Sequence, residues 1–366
     1  ADGRGYTEPA YTHVFVLPAE GGTPRQVTQG KFNHRGSPRW LDDETLLVSA
    51  NYAENAALDP MESELYRVDL ATGAATALTA RKGPDMQPAL SPDGKRVAYI
   101  GFDDQRRGYT QTGLYLLELG SGESRRLAAD FDNAIDSPSW DGRGRIVFSY
   151  DRHGETHVAR VDPRSGRMEV LARDLGGTAM GRPYPGGSFS VAGERVAYTL
   201  GTALAPAEVG LFERGRVRTL TDLNADLLPQ RELARIEEIW TKSSHDGLDI
   251  QSWIALPPGF DPSKKYPLLL EIHGGPYANY GPRFAPEIQL YASAGYVVLY
   301  SNPRGSTSYG QAFADHIHHN YPSQDYDDLI SAVDAVIARG YVDPNQLYVT
   351  GGSGGGVLTA WIVGKT

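Results

Sequence analysis

Residues 348–358, with the sequence YVTGGSGGGVL, decide how the rest of the chain is interpreted. A short apolar run meets a glycine-rich corner, and a segment compatible with a helix follows. Gly351, Ser353 and Gly355 fill the pattern G-x-S-x-G, the strand-turn-helix corner that lifts a nucleophilic serine clear of an α/β sheet. The serine backbone is strained in this corner, and only glycine at the flanking positions lets strand and helix approach closely. The pattern therefore predicts that Ser353 is a nucleophile.

Phosphate binding is the rival function of a glycine-rich corner, and the spacing argues against it. In the pattern G-x-G-x-x-G the third glycine position would hold Val357 or Thr359. Gly364-Lys365-Thr366 matches the last three residues of the P-loop pattern G-x-x-x-x-G-K-[ST]. The first glycine of that pattern would lie at position 359, which is Thr359. The sequence therefore predicts no nucleotide and no other cofactor.

The composition limits the remaining classes of function. A length of 366 residues, with 40% hydrophobic and 22% charged residues, indicates an ordered protein of two domains. A net charge of −10 without a basic run argues against nucleic-acid or anionic-membrane partners. The absence of cysteine excludes disulfides, thiolate zinc sites and a cysteine nucleophile.

Two features bear on location. No apolar run reaches the roughly 18 residues that a membrane-spanning helix needs. Residues 1–6 lack the basic and apolar parts of a signal peptide, although this means little if an earlier segment precedes them. The sequence favours a cytoplasmic protein.

The first two-thirds of the chain repeat at a period of 44–50 residues, marked by Pro38, Pro88 and Pro138. Three units have a proline followed by an apolar strand, a polar turn, a second apolar strand and a hairpin closed on glycine, and a weaker copy begins at Phe189. Four short strands per unit at this period are typical of a propeller blade. We count four units, preceded by a half unit at residues 12–28. The unit with Ser91-Pro92-Asp93-Gly94-Lys95 resembles the propeller repeats of TolB-like proteins and of peptidase-linked propellers.

The pattern changes after this region, and we predict a β-propeller at residues 1–222, a linker at 223–235 and an α/β domain at 236–366. Strands and helices alternate in the last part, which is typical of a mostly parallel sheet covered on both faces. The clearest helix is predicted at residues 325–339, where the apolar positions follow helical spacing: Leu329, Ile330, Val333, Val336 and Ile337.

Three ordered motifs in this last part resemble the prolyl oligopeptidase family of serine peptidases, and its acylaminoacyl peptidase branch most closely. They are His273-Gly274-Gly275-Pro276, Asn302-Pro303-Arg304-Gly305-Ser306, and Asp343-Pro344 followed by the serine corner at Gly351–Gly355. The resemblance implies a propeller followed by an α/β-hydrolase domain. The family has an aromatic residue after the serine, where this chain has Gly354.

The resemblance and the fold imply specific roles. The backbone N–H groups of Gly354 and Gly275 would form the oxyanion hole for Ser353. His273 precedes the serine within an oxyanion-type motif, so we do not expect it to be the catalytic base. Arg304 is a candidate for binding a substrate carboxylate, with an ion pair or loop anchor as the alternative.

Other clusters of polar residues are interpreted as structural. His316, His318 and His319 lack a carboxylate at helical spacing, so a solvated loop is favoured over a metal site. Three aspartates enrich the start of the helix at residue 325, where carboxylates suit the helix dipole. Asp69, Asp93 and Asp162 do not form a calcium-loop array. We predict no metal.

A serine nucleophile of this fold needs an acid and a histidine that follow it in the chain, yet only 13 residues follow Ser353. We therefore expect a partner segment of the same protein to carry the catalytic Asp and His, and further blades to precede residue 1. A homo-oligomer is compatible with these features.

The predicted function is a serine peptidase that cleaves short or N-acylated peptides through an acyl-enzyme, with the propeller limiting substrate size. The alternatives are a carboxylesterase of the same fold and an inactive propeller scaffold that binds peptides.

Overall fold

The structure, a computed structural model, describes residues 10–366. Residues 1–6, which were analysed for a signal peptide, lie outside the described residues, as do residues 7–9. Among the described residues, no helix combines the length and the apolar character that crossing a membrane would require.

The first part of the chain forms a partial β-propeller. One two-stranded sheet is followed by four four-stranded antiparallel sheets, and within each sheet the strands are neighbours in chain order. These are the predicted half blade and four blades, and they confirm the predicted all-β class of this region. The strands are β1 (Phe15–Val16), β2 (Arg25–Gln26), β3 (His34–Trp40), β4 (Thr45–Ala50), β5 (Glu64–Asp69), β6 (Ala75–Ala77), β7 (Asp85–Leu90), β8 (Arg96–Gly101), β9 (Gly113–Glu118), β10 (Ser124–Leu127), β11 (Ile135–Trp140), β12 (Ile146–Arg152), β13 (Glu155–Val161), β14 (Met168–Ala172), β15 (Phe189–Ala192), β16 (Arg195–Leu200), β17 (Glu208–Glu213) and β18 (Arg216–Thr219).

The repeated prolines lie in the first strand of a blade, at a β-bulge. The register of β7 shifts around Pro88, and that of β11 shifts around Pro138. Gln87 and Ser137, which precede these prolines, adopt positive φ angles of 51° and 54°. Proline lacks an N–H, so edge strands and bulges are the places where a sheet accepts it. The Ser137 N–H donates to Gln87 Oε1 at 2.8 Å, which joins neighbouring blades at their bulges.

The last part of the chain forms a five-stranded sheet with the order β19-β20-β22-β21-β23. The pairs β19–β20 and β20–β22 are antiparallel, whereas β21 pairs in parallel with both β22 and β23. This is the predicted incomplete α/β-hydrolase fold. The domain limits at residues 222 and 236 stay predictions. The strands are β19 (Arg235–Lys242), β20 (Asp249–Leu256), β21 (Tyr266–Ile272), β22 (Val297–Asn302) and β23 (Val342–Gly351).

The helices cover both faces of this sheet, and their bounds differ slightly from the prediction. The first of these helices begins at Pro286, because proline suits the first turn of a helix but cannot continue one from before. The helix predicted at residues 325–339 ends at Ile337. A short helix after Gly310 was not predicted. The helices are α1 (Pro286–Ser293), α2 (Gln311–Asp315), α3 (Asp325–Ile337) and α4 (Gly354–Val363), with a 3₁₀ turn at Leu228–Gln230.

A buried arginine joins the propeller to the α/β region. Arg283 donates from Nη1 to the carbonyl oxygen of Leu175 at 2.9 Å. Its Nη2 donates to the carbonyl oxygen of Gly154 at 3.2 Å and to Thr156 Oγ1 at 2.6 Å. Burial lowers the pKa of Arg283, against the negative charge of Asp151 on the same interface. The hydrogen bonds offset the cost of burying a charge, so this contact fixes how the two regions meet.

We expect the substitution Arg283→Met to lower the free energy of unfolding by about 3 kcal/mol, because it leaves buried acceptors without a donor. Denaturant unfolding of the full-length protein measures this. The control is Arg143→Met, which removes an exposed pair with Glu194 and should cost less than about 0.5 kcal/mol. Equal effects of the two substitutions would contradict a special role for Arg283.

Candidate active site

Ser353 lies at the corner between strand β23 and helix α4. Its backbone has φ 55° and ψ −117°, a region that residues other than glycine rarely adopt and that costs roughly 1–3 kcal/mol. The side chain is exposed. Within residues 10–366, no histidine or carboxylate forms a hydrogen bond with its hydroxyl. The strained corner therefore presents a free hydroxyl at the carboxyl end of the strand.

The glycines of the corner are required by close approach. A Cβ atom on Gly351 would lie 2.6 Å from the carbonyl oxygen of Gly355 and 2.9 Å from that of Ile272, the last residue of β21. A Cβ atom on Gly355 would be closer still to the Ile272 carbonyl oxygen. Real Cβ atoms do not come within 3.0 Å of such groups. The steric reason inferred from the sequence therefore applies to both positions.

The two predicted oxyanion donors lie next to each other. Gly354 is the first residue of α4, so its N–H has no partner within the helix. A Cβ atom on Gly354 would lie 3.3 Å from the backbone nitrogen of Gly275. In the described part of the chain, no group accepts a hydrogen bond from the Gly275 N–H. The structure thus brings together two unused N–H groups beside Ser353.

The neighbouring N–H in the same loop is already occupied. Gly274 donates to the hydroxyl of Tyr184 at 2.6 Å. A Cβ atom on Gly274 would also lie 3.1 Å from Cβ of Ser353, so the loop passes directly over the serine. Of the two glycines that follow His273, only Gly275 keeps its N–H available for a ligand.

Tyr321 is a neighbour of the corner that the sequence did not reveal. Its hydroxyl donates to the carbonyl oxygen of Gly354 at 2.6 Å. Burial raises the pKa of Tyr321 to about 12, so the hydroxyl keeps its proton at neutral pH. No local signal in the sequence links Tyr321 to the serine 32 residues later.

His273 is buried and neutral. Burial lowers the pKa of its imidazole to about 4. Nδ1 lies 2.9 Å from the carbonyl oxygen of Gly274, and Nε2 lies 2.9 Å from Oγ of Ser306. Both ring nitrogens therefore contact the protein's own loops. These contacts hold His273 within its loop, and they favour the expectation that it is not the catalytic base.

The contacts of Arg304 favour the loop-anchor alternative over substrate binding. Its Nη2 lies 2.9 Å from Oδ1 of Asp328 and 3.0 Å from Oδ1 of Asp246. Nε and Nη1 donate to the same two carboxylates, and Nη2 also reaches Oγ of Ser243. The side chain is only 4% exposed. Asp328 thus has a specific partner in addition to its place near the start of α3.

A connection of the propeller also reaches the corner. Between β14 and β15, Arg182 extends towards Glu271 of β21 and Glu287 of α1. Tyr184 of the same connection supplies the hydroxyl that accepts from Gly274. Neither residue could be predicted from the sequence, because the partners are about 90 residues away in the chain and the connection has no motif.

The three histidines His316, His318 and His319 lie within or just after the short turn that follows α2. Nowhere between residues 10 and 366 do three or more metal-ligating side chains come together.

Two family models match separate parts of the chain. The prolyl oligopeptidase family model matches residues 282–366, which include α1 to α4 and the serine corner. The model of the N-terminal region of dipeptidyl peptidase IV matches residues 4–101, in the propeller part.

Curated relatives are peptidases. An uncharacterized peptidase of Bacillus subtilis, YuxL, is 30% identical over 96% of this chain and 67% of its own length. Dipeptidyl-peptidase 5 of Aspergillus fumigatus is 32% identical over 78% of this chain and 40% of its own length. The chain thus spans about two-thirds of the first relative and less than half of the second.

Solved structures share the fold. The acylaminoacyl peptidase of Pyrococcus horikoshii superposes with a TM-score of 0.79 at 22% identity, covering 96% of this chain and 53% of that one. A puromycin-hydrolyzing peptidase of Mycobacterium tuberculosis gives a TM-score of 0.70 at 18% identity, covering 97% and 67%. The likeness extends across both the propeller and the α/β region.

We expect Gly355→Ala to displace the serine corner, because the added methyl group meets the carbonyl oxygen of Ile272. Labelling of Ser353 by a fluorophosphonate in the full-length protein should slow by about tenfold or more, since a misplacement of about 1 Å can cost a hundredfold in rate. The control is Gly120→Ala, where a Cβ atom meets nothing within 4 Å. Unchanged labelling of the Gly355 variant would contradict the close-approach argument.

We expect Glu271→Gln to stabilise the protein increasingly as the pH rises from about 4.5 to 7. Burial raises the pKa of Glu271 to about 7, against the positive charge of Arg182. The folded protein therefore holds a proton that the unfolded chain loses near pH 4.5, and raising the pH favours unfolding. Between pH 4.5 and 7 the free energy of unfolding of the variant, relative to that of the wild type, should therefore rise by about 3 kcal/mol.

Denaturant unfolding at a series of pH values measures this difference. The lowered pKa of His273 produces an opposite slope, but that slope is common to both proteins and cancels. Replacement of the exposed Glu20 by Gln is the control. A difference that does not change with pH would contradict the assignment.

Proposed function

Because this chain belongs to the prolyl oligopeptidase family of serine peptidases, we propose that Ser353 attacks peptide bonds and forms an acyl-enzyme. One observation carries the proposal: the strained Ser353 corner stands beside the two unused N–H groups of Gly354 and Gly275. A serine hydroxyl and a pair of backbone donors are the parts that acyl transfer needs to form and stabilise a tetrahedral intermediate.

The mechanism requires a base that accepts the serine proton as the new bond forms. No described histidine occupies this position, and His273 is held in the oxyanion loop. We propose that the Asp and His come from a further segment of the same protein. The outer face of α4 and the free side of β23 support this, because they expose apolar side chains that a further layer would cover: Leu347, Tyr348, Val357, Trp361 and Val363.

We propose that the substrates are short or N-acylated peptides. A cavity of about 460 Å³ lies between the propeller and the α/β region, and its size suits a few residues of peptide. Ile135 and Tyr150 of the propeller line it, together with Thr307 and Ser308 of the α/β region. A folded protein could not enter such a space, so substrates that reach Ser353 through this cavity would be selected by size.

We expect Ser353→Ala to abolish fluorophosphonate labelling and to lower kcat/KM for an N-acylated peptide amide by about 10⁴-fold or more in the full-length protein. Ser121→Ala, in an exposed turn of the propeller, is the control and should retain both properties.

The wild-type protein separates the alternatives. Hydrolysis of simple esters without hydrolysis of peptide amides would favour the carboxylesterase, and absence of labelling at neutral pH would favour the inactive scaffold. If residues 1–366 alone were labelled by the fluorophosphonate as fast as the full-length protein, the proposed source of the acid and base would be contradicted.

A further inference from the structure

The connection between β14 and β15 is fixed onto the α/β region at several points. The carbonyl oxygen of Leu175 accepts from Arg283 at 2.9 Å. The carbonyl oxygen of Gly181 accepts from the N–H of Glu287 at 3.2 Å, and that of Pro183 accepts from the N–H of Gly281 at 3.0 Å. The backbone on both sides of Arg182 is therefore held in place before any ligand arrives.

The guanidinium group of Arg182 is anchored through one nitrogen only. Nε lies 3.2 Å from Oε1 of Glu271 and 3.1 Å from Oε2 of Glu287. In residues 10–366, no group accepts a hydrogen bond from Nη1 or Nη2. The side chain is 27% exposed, so these terminal N–H groups are accessible.

The free end of Arg182 lies beside the serine corner. A Cβ atom on Gly352, the residue before Ser353, would lie 2.6 Å from Nη1 and 3.8 Å from Nη2 of Arg182. The guanidinium group thus occupies the space that a side chain at residue 352 would fill. Since Gly352 is bonded to Ser353, the four terminal N–H groups stand within reach of a substrate that spans the nucleophile.

The surroundings keep Arg182 charged. Burial disfavours its charge, but the hydrogen bond to Glu287 and, above about pH 7 where Glu271 is ionised, the negative charge of Glu271 outweigh this and raise its pKa. Tyr280 donates to Oε1 of Glu271 at 3.1 Å and so helps to hold that carboxylate. A charged donor fixed in this way loses little freedom when it binds an acceptor.

We propose that Arg182 binds an acceptor oxygen of the peptide substrate, either the carbonyl oxygen of a residue or acyl group near the scissile bond or a terminal carboxylate. This inference rests on the proposed peptidase function. It makes a propeller residue part of the substrate site, in addition to any role of the propeller in limiting size.

The two buried arginines of the described residues, Arg304 and Arg283, show what a purely structural role looks like in this protein. Arg304 uses Nε and both terminal nitrogens on Asp328, Asp246 and Ser243. Arg283 uses both terminal nitrogens on the propeller. Arg182 is the opposite case, because its inner nitrogen is bound and its outer nitrogens are free. An arginine that only anchors a loop would not need to leave both terminal nitrogens without a hydrogen-bond partner.

The test compares Arg182→Gln with the wild type in the full-length protein, on peptides and on p-nitrophenyl acetate, which has no carbonyl or carboxylate beyond the scissile ester. We expect kcat/KM for the peptide to fall about ten- to a hundredfold more than that for the ester, mainly through KM. Arg182→Lys should keep a charge near Glu271 but lose the planar pair of terminal N–H donors. It should therefore show most of the same selective loss of kcat/KM for the peptide.

Two substrate pairs identify the acceptor. If it is a carboxylate, replacing the peptide's C-terminal carboxylate by an amide should lower wild-type kcat/KM and abolish the difference between wild type and variant. If the acceptor is an acyl carbonyl, replacing the N-acyl group by a free amine should lower wild-type kcat/KM and abolish the difference between wild type and variant. A difference that survives both changes assigns the acceptor to an internal backbone carbonyl.

Controls separate binding from folding. Arg173→Gln alters an exposed arginine on the same connection and should leave both substrates unaffected. Fluorophosphonate titration and the unfolding midpoint give the fraction of folded, competent enzyme in each variant. Equal losses on peptide and ester per competent site, or no loss at all, would overturn the proposal for Arg182. A wild type that cleaved the ester but no peptide would instead reject the proposed function, and this inference with it.

Discussion

The contact between helix α4 and strand β21 is the constraint on which the candidate site depends. The helix begins so close to the carbonyl oxygen of Ile272 that neither Gly351 nor Gly355 has room for a methyl group. This approach forces the chain to turn within two residues, which places Ser353 in its strained conformation. The same approach brings Gly354 beside the loop that carries Gly275. A steric requirement thus sets the position of the hydroxyl and of both candidate donors.

The sequence predicted those features whose cause is local. The blades follow from short apolar strands and turns at a fixed period. The serine corner follows from glycine spacing alone. The helix predicted at residues 325–339 ends two residues early, at Ile337, where the last turn decides the limit. Each of these features depends on residues within a few positions of one another.

The rest of the site could not be predicted, because it depends on contacts between distant segments. Tyr184 and Gly274 are 90 residues apart, and Arg182 and Glu287 are 105 apart. Arginines are common in loops, and nothing in the sequence separates Arg182 from Arg304 or Arg283. Their partners distinguish them: buried charges require compensation, and the number of guanidinium nitrogens used shows whether compensation is the whole role. Only the structure supplies that count.

The anchoring of the two regions then explains how a propeller can contribute to an active site on another fold. Arg283 fixes the start of the connection at Leu175, and backbone hydrogen bonds fix Gly181 and Pro183 on either side of Arg182. A side chain that binds substrate must be held to a fraction of an ångström, which a mobile loop does not achieve. If the propeller shifted as a rigid body, Arg182 and Tyr184 would move together relative to Ser353. The buried junction at Arg283 is therefore a condition for the geometry of the site as well as for the stability of the fold.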